Sequence, residues 1–172
     1  MFFRLAKVFL IAPFNVMIVV PGIILLLSDG FDFARGQPMI LILIRSIIGF
    51  IFLGAGISIC FITFSLLVKL GEGTPAPWDP PRKLVTQGIY SLVRNPMMIG
   101  VFLVLFGEAV LFFSIWLFIW FLAFLAGCLI LIPQFEEPGL DKAFGPRFLN
   151  YKNRVRRWLP KKNPLAIENL DK

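Results

Sequence analysis

Histidine is absent from the 172 residues. That excludes a Ser–His–Asp arrangement, haem ligation through an imidazole and the usual zinc sites, all of which draw on the ring nitrogens. Cysteine is nearly absent: Cys60 and Cys128 each stand alone inside an apolar run. A lone thiol in such surroundings reads as a small core residue, not as half of a disulfide or a metal ligand. No metal site is expected. Charge is scarce too, at 16% of residues, and acid is scarcer than base, 10 against 17. The resulting +7 lies beside apolar segments, which points to a membrane surface and away from a nucleic acid.

What the chain has is hydrocarbon. It is 58% hydrophobic with 20 Phe, and its mean hydropathy is +0.85. Soluble domains do not have this composition. The expectation is an all-α integral membrane protein, one membrane domain over 1–172, with about four transmembrane helices. Residues 1–70 would hold two helices. Residues 71–160 would hold a loop, a helical hairpin and a tail, and residues 161–172 a flexible end. The first run, Val8 to Leu27, is long enough to span a ~30 Å hydrocarbon core. It is too long for a signal peptide and has no small-x-small site behind it. Pro13 and Pro21 should bend it, and Asn15 is its one strongly polar residue. A short loop with Asp29, Asp32 and Arg35 leads to the second run, Met39 to Leu70. Gly49, Gly54, Ala55, Gly56 and Ser58 make a small-residue region in it, suited to close helix packing or to ligand contact. Arg45 and Glu108 are charges within apolar runs and are expected to pair.

The long polar interruption runs from Gly71 to Gly100 and holds Pro75, Pro77, Pro80, Pro81 and Pro96. It cannot be one helix, because proline lacks the N–H and clashes with the preceding turn. Met97 to Pro133 is about 37 apolar residues, too many for one crossing at ~1.5 Å per residue. Two helices with a turn near Phe113-Ser114 fit. Beyond Gln134, Leu140, Phe144, Phe148, Tyr151, Val155 and Trp158 recur at helical spacing, broken at Gly145-Pro146. That pattern predicts an amphipathic tail on the membrane surface, with Trp158 at headgroup depth. Lys and Arg gather in the N-terminus, the loop 71–96 and the tail, so the positive-inside rule puts the loop and C-terminus in the cytoplasm.

Three polar groups can meet on that face: Tyr90, Arg94 and Asn95 before the hairpin, Glu136 and Glu137 after it, and Tyr151 and Arg154 in the tail. A hairpin brings its own ends together. The group reads either as an interfacial ion-pair belt or as a site for a zwitterionic ligand. In the latter, Arg94 takes a carboxylate and the glutamates take an ammonium or ribose hydroxyls. Arg94, Glu137 and Arg154 are the candidates for catalysis.

The stretches LVTQGIYSLVRNPMMIG (84–100), EEPGLDKAFGPRFLNY (136–151) and RRWLP (156–160) resemble the isoprenylcysteine carboxyl methyltransferase and phospholipid methyltransferase family. The resemblance covers residues 71 to 160. It implies S-adenosyl-L-methionine as cofactor, held by Arg94, Asn95, Pro96, Gly100, Glu136 and Glu137. Tyr90 and Tyr151 join these as candidate cofactor contacts from the residue reading. The resemblance also implies a lipid-like or prenylated acceptor and a bacterial inner membrane. Gly54-Ala55-Gly56 is a loose counterpart of a Gly-x-Gly found in the phospholipid branch. The chain departs from the pattern at Asn95, where the family has His, and at Met98 and Phe148, where it has Tyr. Asn95 can donate and accept hydrogen bonds but cannot act as a base. Two other classes stay open: an NADPH-dependent membrane reductase of the sterol-reductase type, with Lys83, Arg154 or Arg156 on a 2′-phosphate, and a non-catalytic membrane protein.

Overall fold

A computed structural model describes residues 14–28, 36–74 and 81–160. The N-terminal residues through Pro13, the loop acids Asp29 and Asp32 with Arg35, the prolines Pro75, Pro77 and Pro80, and the end 161–172 lie outside the described residues. The described residues are helical or in turns, with no strand. A π-turn, Asn15–Val19, leads into α1, Val20–Leu27. Pro21 lies in the first turn of α1, directly after the π-turn within the continuous helix Asn15–Leu27. Then come α2, Met39–Leu70, a 3₁₀ turn at Gly88–Ser91, and α3, Pro96–Phe112. Next are α4, Ile115–Leu131, a π-turn at Ile132–Glu136, α5, Glu137–Phe144, and α6, Pro146–Arg154.

Two helical runs are long and apolar enough to cross a membrane: α2, with 32 residues, and the continuous run Ile115–Phe144, with 30. Asn15–Leu27 and α3 are apolar but shorter. α2 leaves Ile40, Leu43, Ile47, Phe50 and Ile51 exposed, a face suited to lipid and costly in water. The predicted hairpin turn falls at Phe113-Ser114. Phe113 takes a left-handed φ of 49°, which reverses the chain in the fewest residues, and the Ser114 hydroxyl accepts from the Leu117 N–H at 3.4 Å to start α4.

The chain gathers into two compact units. One comprises Met1–Ser58 and Gly100–Gly127. Here α2 and α3 touch backbone to backbone at glycines. A Cβ on Gly56 would lie 2.6 Å from the Gly100 carbonyl oxygen and 2.9 Å from the Val104 nitrogen. One on Gly49 would meet Leu111 at 2.8 Å, and one on Gly107 the Gly49 carbonyl at 3.0 Å. Gly54 has nothing within 4 Å of such an atom. The small-residue region thus serves packing at Gly49 and Gly56 but not at Gly54. Edge-to-face rings fill the remaining space, Phe52 on Phe106 at 4.9 Å and Phe106 on Phe121 at 5.6 Å. Trp120 donates to the Val16 carbonyl at 3.3 Å.

The expected Arg45–Glu108 pair does not form. Arg45 donates to Gln37 Oε1 at 3.3 Å and lies over the Phe113 ring at 5.6 Å. It is therefore held at the hairpin end, and Glu108 lies five residues, about 7.5 Å of helix, short of Phe113. Glu108 Oε2 is buried without a hydrogen-bond partner.

The second unit comprises Ile59–Ile99 and Cys128–Lys172. Phe148, Tyr151 and Val155, each 2% exposed, form its main core with Leu84, Leu140 and Phe144 around them. This corrects the tail reading. The stripe from Leu140 to Val155 packs on the protein's own loop, not on a membrane surface, because Leu84 and its neighbours supply an apolar partner. Periodicity shows that a face is apolar and leaves open what covers it. Gly145, at φ 54° and ψ −131°, makes the break between α5 and α6. A side chain is strained there. A smaller core holds Leu67, Val85 and Tyr90. The end of α2 is tied to the loop by Gly71, whose carbonyl accepts from the Arg82 and Lys83 N–H groups at 2.8 and 3.1 Å. Lys83 also pairs with Glu72.

Candidate functional site

The site grows from the π-turn that precedes α5. Pro133 has no N–H to give, and the Glu137 N–H reaches back five residues to the Ile132 carbonyl. One residue more per turn rotates the next part of the helix by ~100°. Glu136 stays exposed and Glu137 turns inward, with 5% of its side chain accessible.

Glu137 is the hub of a charged cluster. Arg157 donates to it through two nitrogens, Nε to Oε1 at 2.6 Å and Nη2 to Oε2 at 2.8 Å. Arg94 Nη1 lies 2.8 Å from Oε1, and Lys152 Nζ lies 3.2 Å from Oε2 and 3.7 Å from Asp141 Oδ2. One buried carboxylate serves three cations, so the cluster keeps a positive excess. The backbone is stitched at the same place. The Arg94 N–H donates to the Arg156 carbonyl at 2.9 Å and the Asn95 N–H to the Arg157 carbonyl at 3.3 Å. Nearby, the Tyr151 hydroxyl donates to the Tyr90 carbonyl at 2.7 Å.

Electrostatics follow from this packing. Burial lowers the pKa of Arg94, and the Glu137 charge opposes that shift. The hydrogen bond to Glu137 raises the pKa of Arg157. Burial raises the pKa of Tyr90 and of Tyr151, so both hydroxyls stay protonated. Arg94 Nε, on a side chain 9% exposed, and Asn95 Nδ2 are buried donors without a hydrogen-bond partner. Such donors are costly to leave unmet.

The structure brings Arg94, Asn95 and Glu137 together. Pro96 is fully buried at the start of α3, Tyr90 is buried, and the Tyr151 hydroxyl is taken up by the Tyr90 main-chain carbonyl. Glu136 lies outside the ion cluster, on the exposed side of its turn. Gly100 belongs to the first unit, where its carbonyl meets Gly56. Arg154 is exposed. The tail cations seen on Glu137 are Lys152 and Arg157. The basic pair in RRWLP was the available signal for Arg157. Nothing in the pattern set Lys152 apart from its basic neighbours.

The architecture is that of a small helical membrane protein with a buried guanidinium–carboxylate pair beside the start of a helix. The family model for phospholipid methyltransferase matches residues 44–147. That is more than half of the chain, and the chain belongs to the phospholipid methyltransferase family. Membership implies a methyltransferase that works in a membrane. The match includes Arg94, Asn95, Pro96 and Glu137 and ends before Lys152 and Arg157. Neither the curated proteins nor the solved structures provide a match.

Proposed function

We propose that the chain is an S-adenosyl-L-methionine-dependent methyltransferase acting on a lipid-like acceptor. The observation that carries the reading is the buried Arg94–Glu137 pair, with spare donors on Arg94 and Asn95, within the segment that the family model matches. These residues fit the cofactor's amino-acid end. The spare donors of Arg94 and the Asn95 amide suit a carboxylate, and Glu137 keeps the buried guanidinium compensated. When bound, S-adenosyl-L-methionine supplies a methyl group already activated on a sulfonium. The protein's part is then to bind, orient and exclude water, and alignment alone accounts for much of such a rate. Asn95 has no basic nitrogen, so it holds and does not take a proton. The acceptor class is a phospholipid amine or a prenylated carboxylate, reached from the lipid through the apolar faces of the helices. The same reading has four membrane crossings, with α1 and α3 as the shorter two, a cytoplasmic loop 71–96 and C-terminus, and a bacterial inner membrane.

The test is thermal stabilisation of the detergent-solubilised protein by S-adenosylhomocysteine, with NADPH alongside. A ligand of the folded state adds ~2.7 kcal/mol at a hundredfold excess over its Kd. A shift with S-adenosylhomocysteine, lost in Arg94→Ala, is expected. A shift with NADPH alone moves the assignment to the reductase class, and no shift with either removes the cofactor assignment.

A further inference from the structure

Three helices of the first unit leave a groove between them at the hairpin end. Its volume is about 600 Å³, which is within the range of ligand sites. α2 lines it with Leu41, Ile44 and Ile48, α3 with Phe106 and Val110, and α4 with Phe118. The α2 and α3 residues follow the three- and four-residue spacing that makes one helix face. The wall is hydrocarbon, and its α2 side chains are exposed. Carbon facing a void forfeits its contacts, so an apolar chain is the matching occupant. One charge interrupts the wall. Arg45 lies on the same face of α2 and is only 7% exposed, and no carboxylate lines the groove. A guanidinium built into apolar surroundings is costly and marks function by default.

We propose that this groove holds an anionic phospholipid, with one acyl chain along the apolar wall and the headgroup on Arg45. Neutral groups aim the charge. Gln37 Oε1 accepts from Arg45 Nη1 at 3.3 Å, and the guanidinium lies 5.6 Å from the centre of the Phe113 ring. A guanidinium carries several N–H groups in a planar fork, so it can serve a protein acceptor and a phosphate together. Ser114 also lines the groove, and its hydroxyl accepts from the Leu117 N–H, which leaves the hydroxyl proton to give. Depth fits as well. α2 has 32 residues, ~48 Å of helix against a ~30 Å hydrocarbon core. Arg45 is six residues from its start at Met39, about 9 Å along the axis. Centred on the bilayer, α2 thus holds the guanidinium near headgroup level, with Ile48 and Phe106 deeper among the chains. A free fatty acid shares the chemistry of a chain ended by an anion. The phospholipid is favoured because the groove offers a hydroxyl donor besides the fork, and a phosphate diester has oxygens for both. Every lining residue belongs to the first unit and every residue of the Glu137 cluster to the second, so this site and the one proposed for the cofactor share no residue.

The experiment uses the full chain in detergent, stripped of lipid and titrated with dioleoylphosphatidylglycerol, dioleoylphosphatidylcholine or oleate, with bound lipid counted by native mass spectrometry. One phosphatidylglycerol is expected to be held more tightly than phosphatidylcholine, whose choline charge opposes Arg45. Arg45→Gln is expected to weaken that binding about tenfold to a hundredfold, the worth of one charge-assisted hydrogen bond. Because Arg45 also rests on Phe113, Ile44→Trp is the second variant. It fills the groove, leaves the guanidinium in place and is expected to displace the same lipid. Arg82→Gln, which removes an exposed cation of the second unit, is expected to change nothing. Equal retention of phosphatidylglycerol and phosphatidylcholine by the parent overturns the site, as does unchanged retention in either groove variant. A loss in Arg82→Gln as large as in Arg45→Gln shows diffuse attraction to surface charge and overturns it too. Oleate bound more tightly than phosphatidylglycerol overturns the phospholipid assignment.

Discussion

The two units of this chain hold themselves together by opposite means. In the first, α2 and α3 meet where side chains are missing, with Gly49, Gly56, Gly100 and Gly107 letting backbones touch. In the second, a carboxylate, three cations, a tyrosine hydroxyl and two backbone bridges fix the geometry. The first depends on shape, in which apolar surface gains little from association inside lipid and close contact supplies the energy. The second depends on polar groups whose burial is favourable only while every partner is present. Under the proposed function, the unit that recognises a charged molecule is the one built from charge.

That contrast can be broken most sharply at Glu137. Glu137→Ala leaves Arg94 buried without its counter-ion, and the expected loss is about 3 kcal/mol, the lower end for a broken buried pair because Arg157 is partly exposed. It is read as a drop in the unfolding midpoint in detergent, and a loss under about 1 kcal/mol would show that the cluster is no keystone. Gly56→Ala probes the other unit. Its new methyl would meet the Gly100 carbonyl at 2.6 Å, and overpacking of this kind costs about 1–3 kcal/mol. Low ionic strength should leave that loss unchanged. Tyr151→Phe keeps the ring in its core and removes the bond to the Tyr90 carbonyl, for an expected loss of about 1 kcal/mol. Gly54→Ala is the smallest and has the opposite sign. It lies mid-helix with open space around it, so alanine should gain about 0.5 kcal/mol in stability. A loss at Gly54 as large as at Gly56 would undo the claim that only one face of α2 is packed.

Much of the fold was legible because its signals are local. The bounds of Met39–Leu70, the turn at Phe113-Ser114 and the break at Gly145-Pro146 each follow from hydropathy, length or proline within one window. The pairing of Arg94 with Glu137 was also readable, since a hairpin returns its ends to each other. What was not readable depended on phase and on partners distant in the chain. Glu136 and Glu137 look alike as letters. The π-turn after Leu131 decides which one faces inward, and no composition rule announces a five-residue hydrogen bond. Arg154 and Arg157 differ by three residues in a basic run, and the backbone bridges at Arg94 and Asn95 select the later one. The apolar stripe of the tail was seen, but its cover, Leu84, sits more than fifty residues earlier. Arg45 and Glu108 were matched by sign, and the hairpin end claimed Arg45 instead.

The backbone bridges from Arg94 and Asn95 to Arg156 and Arg157 have a kinetic consequence. They join segments about sixty residues apart in the chain, so closing them costs loop entropy that the local helices do not bear. Helical turns and the α3–α4 hairpin form from near neighbours, and contacts of long sequence separation form last. The Glu137 cluster should therefore be the final part to assemble and the first to open. On heating, affinity for a cofactor would fade while helical content remains, and amide exchange at Arg94 and Asn95 would exceed that of α3. Under the proposed function, a protein of this design keeps its apolar helices while its chemistry is switched off.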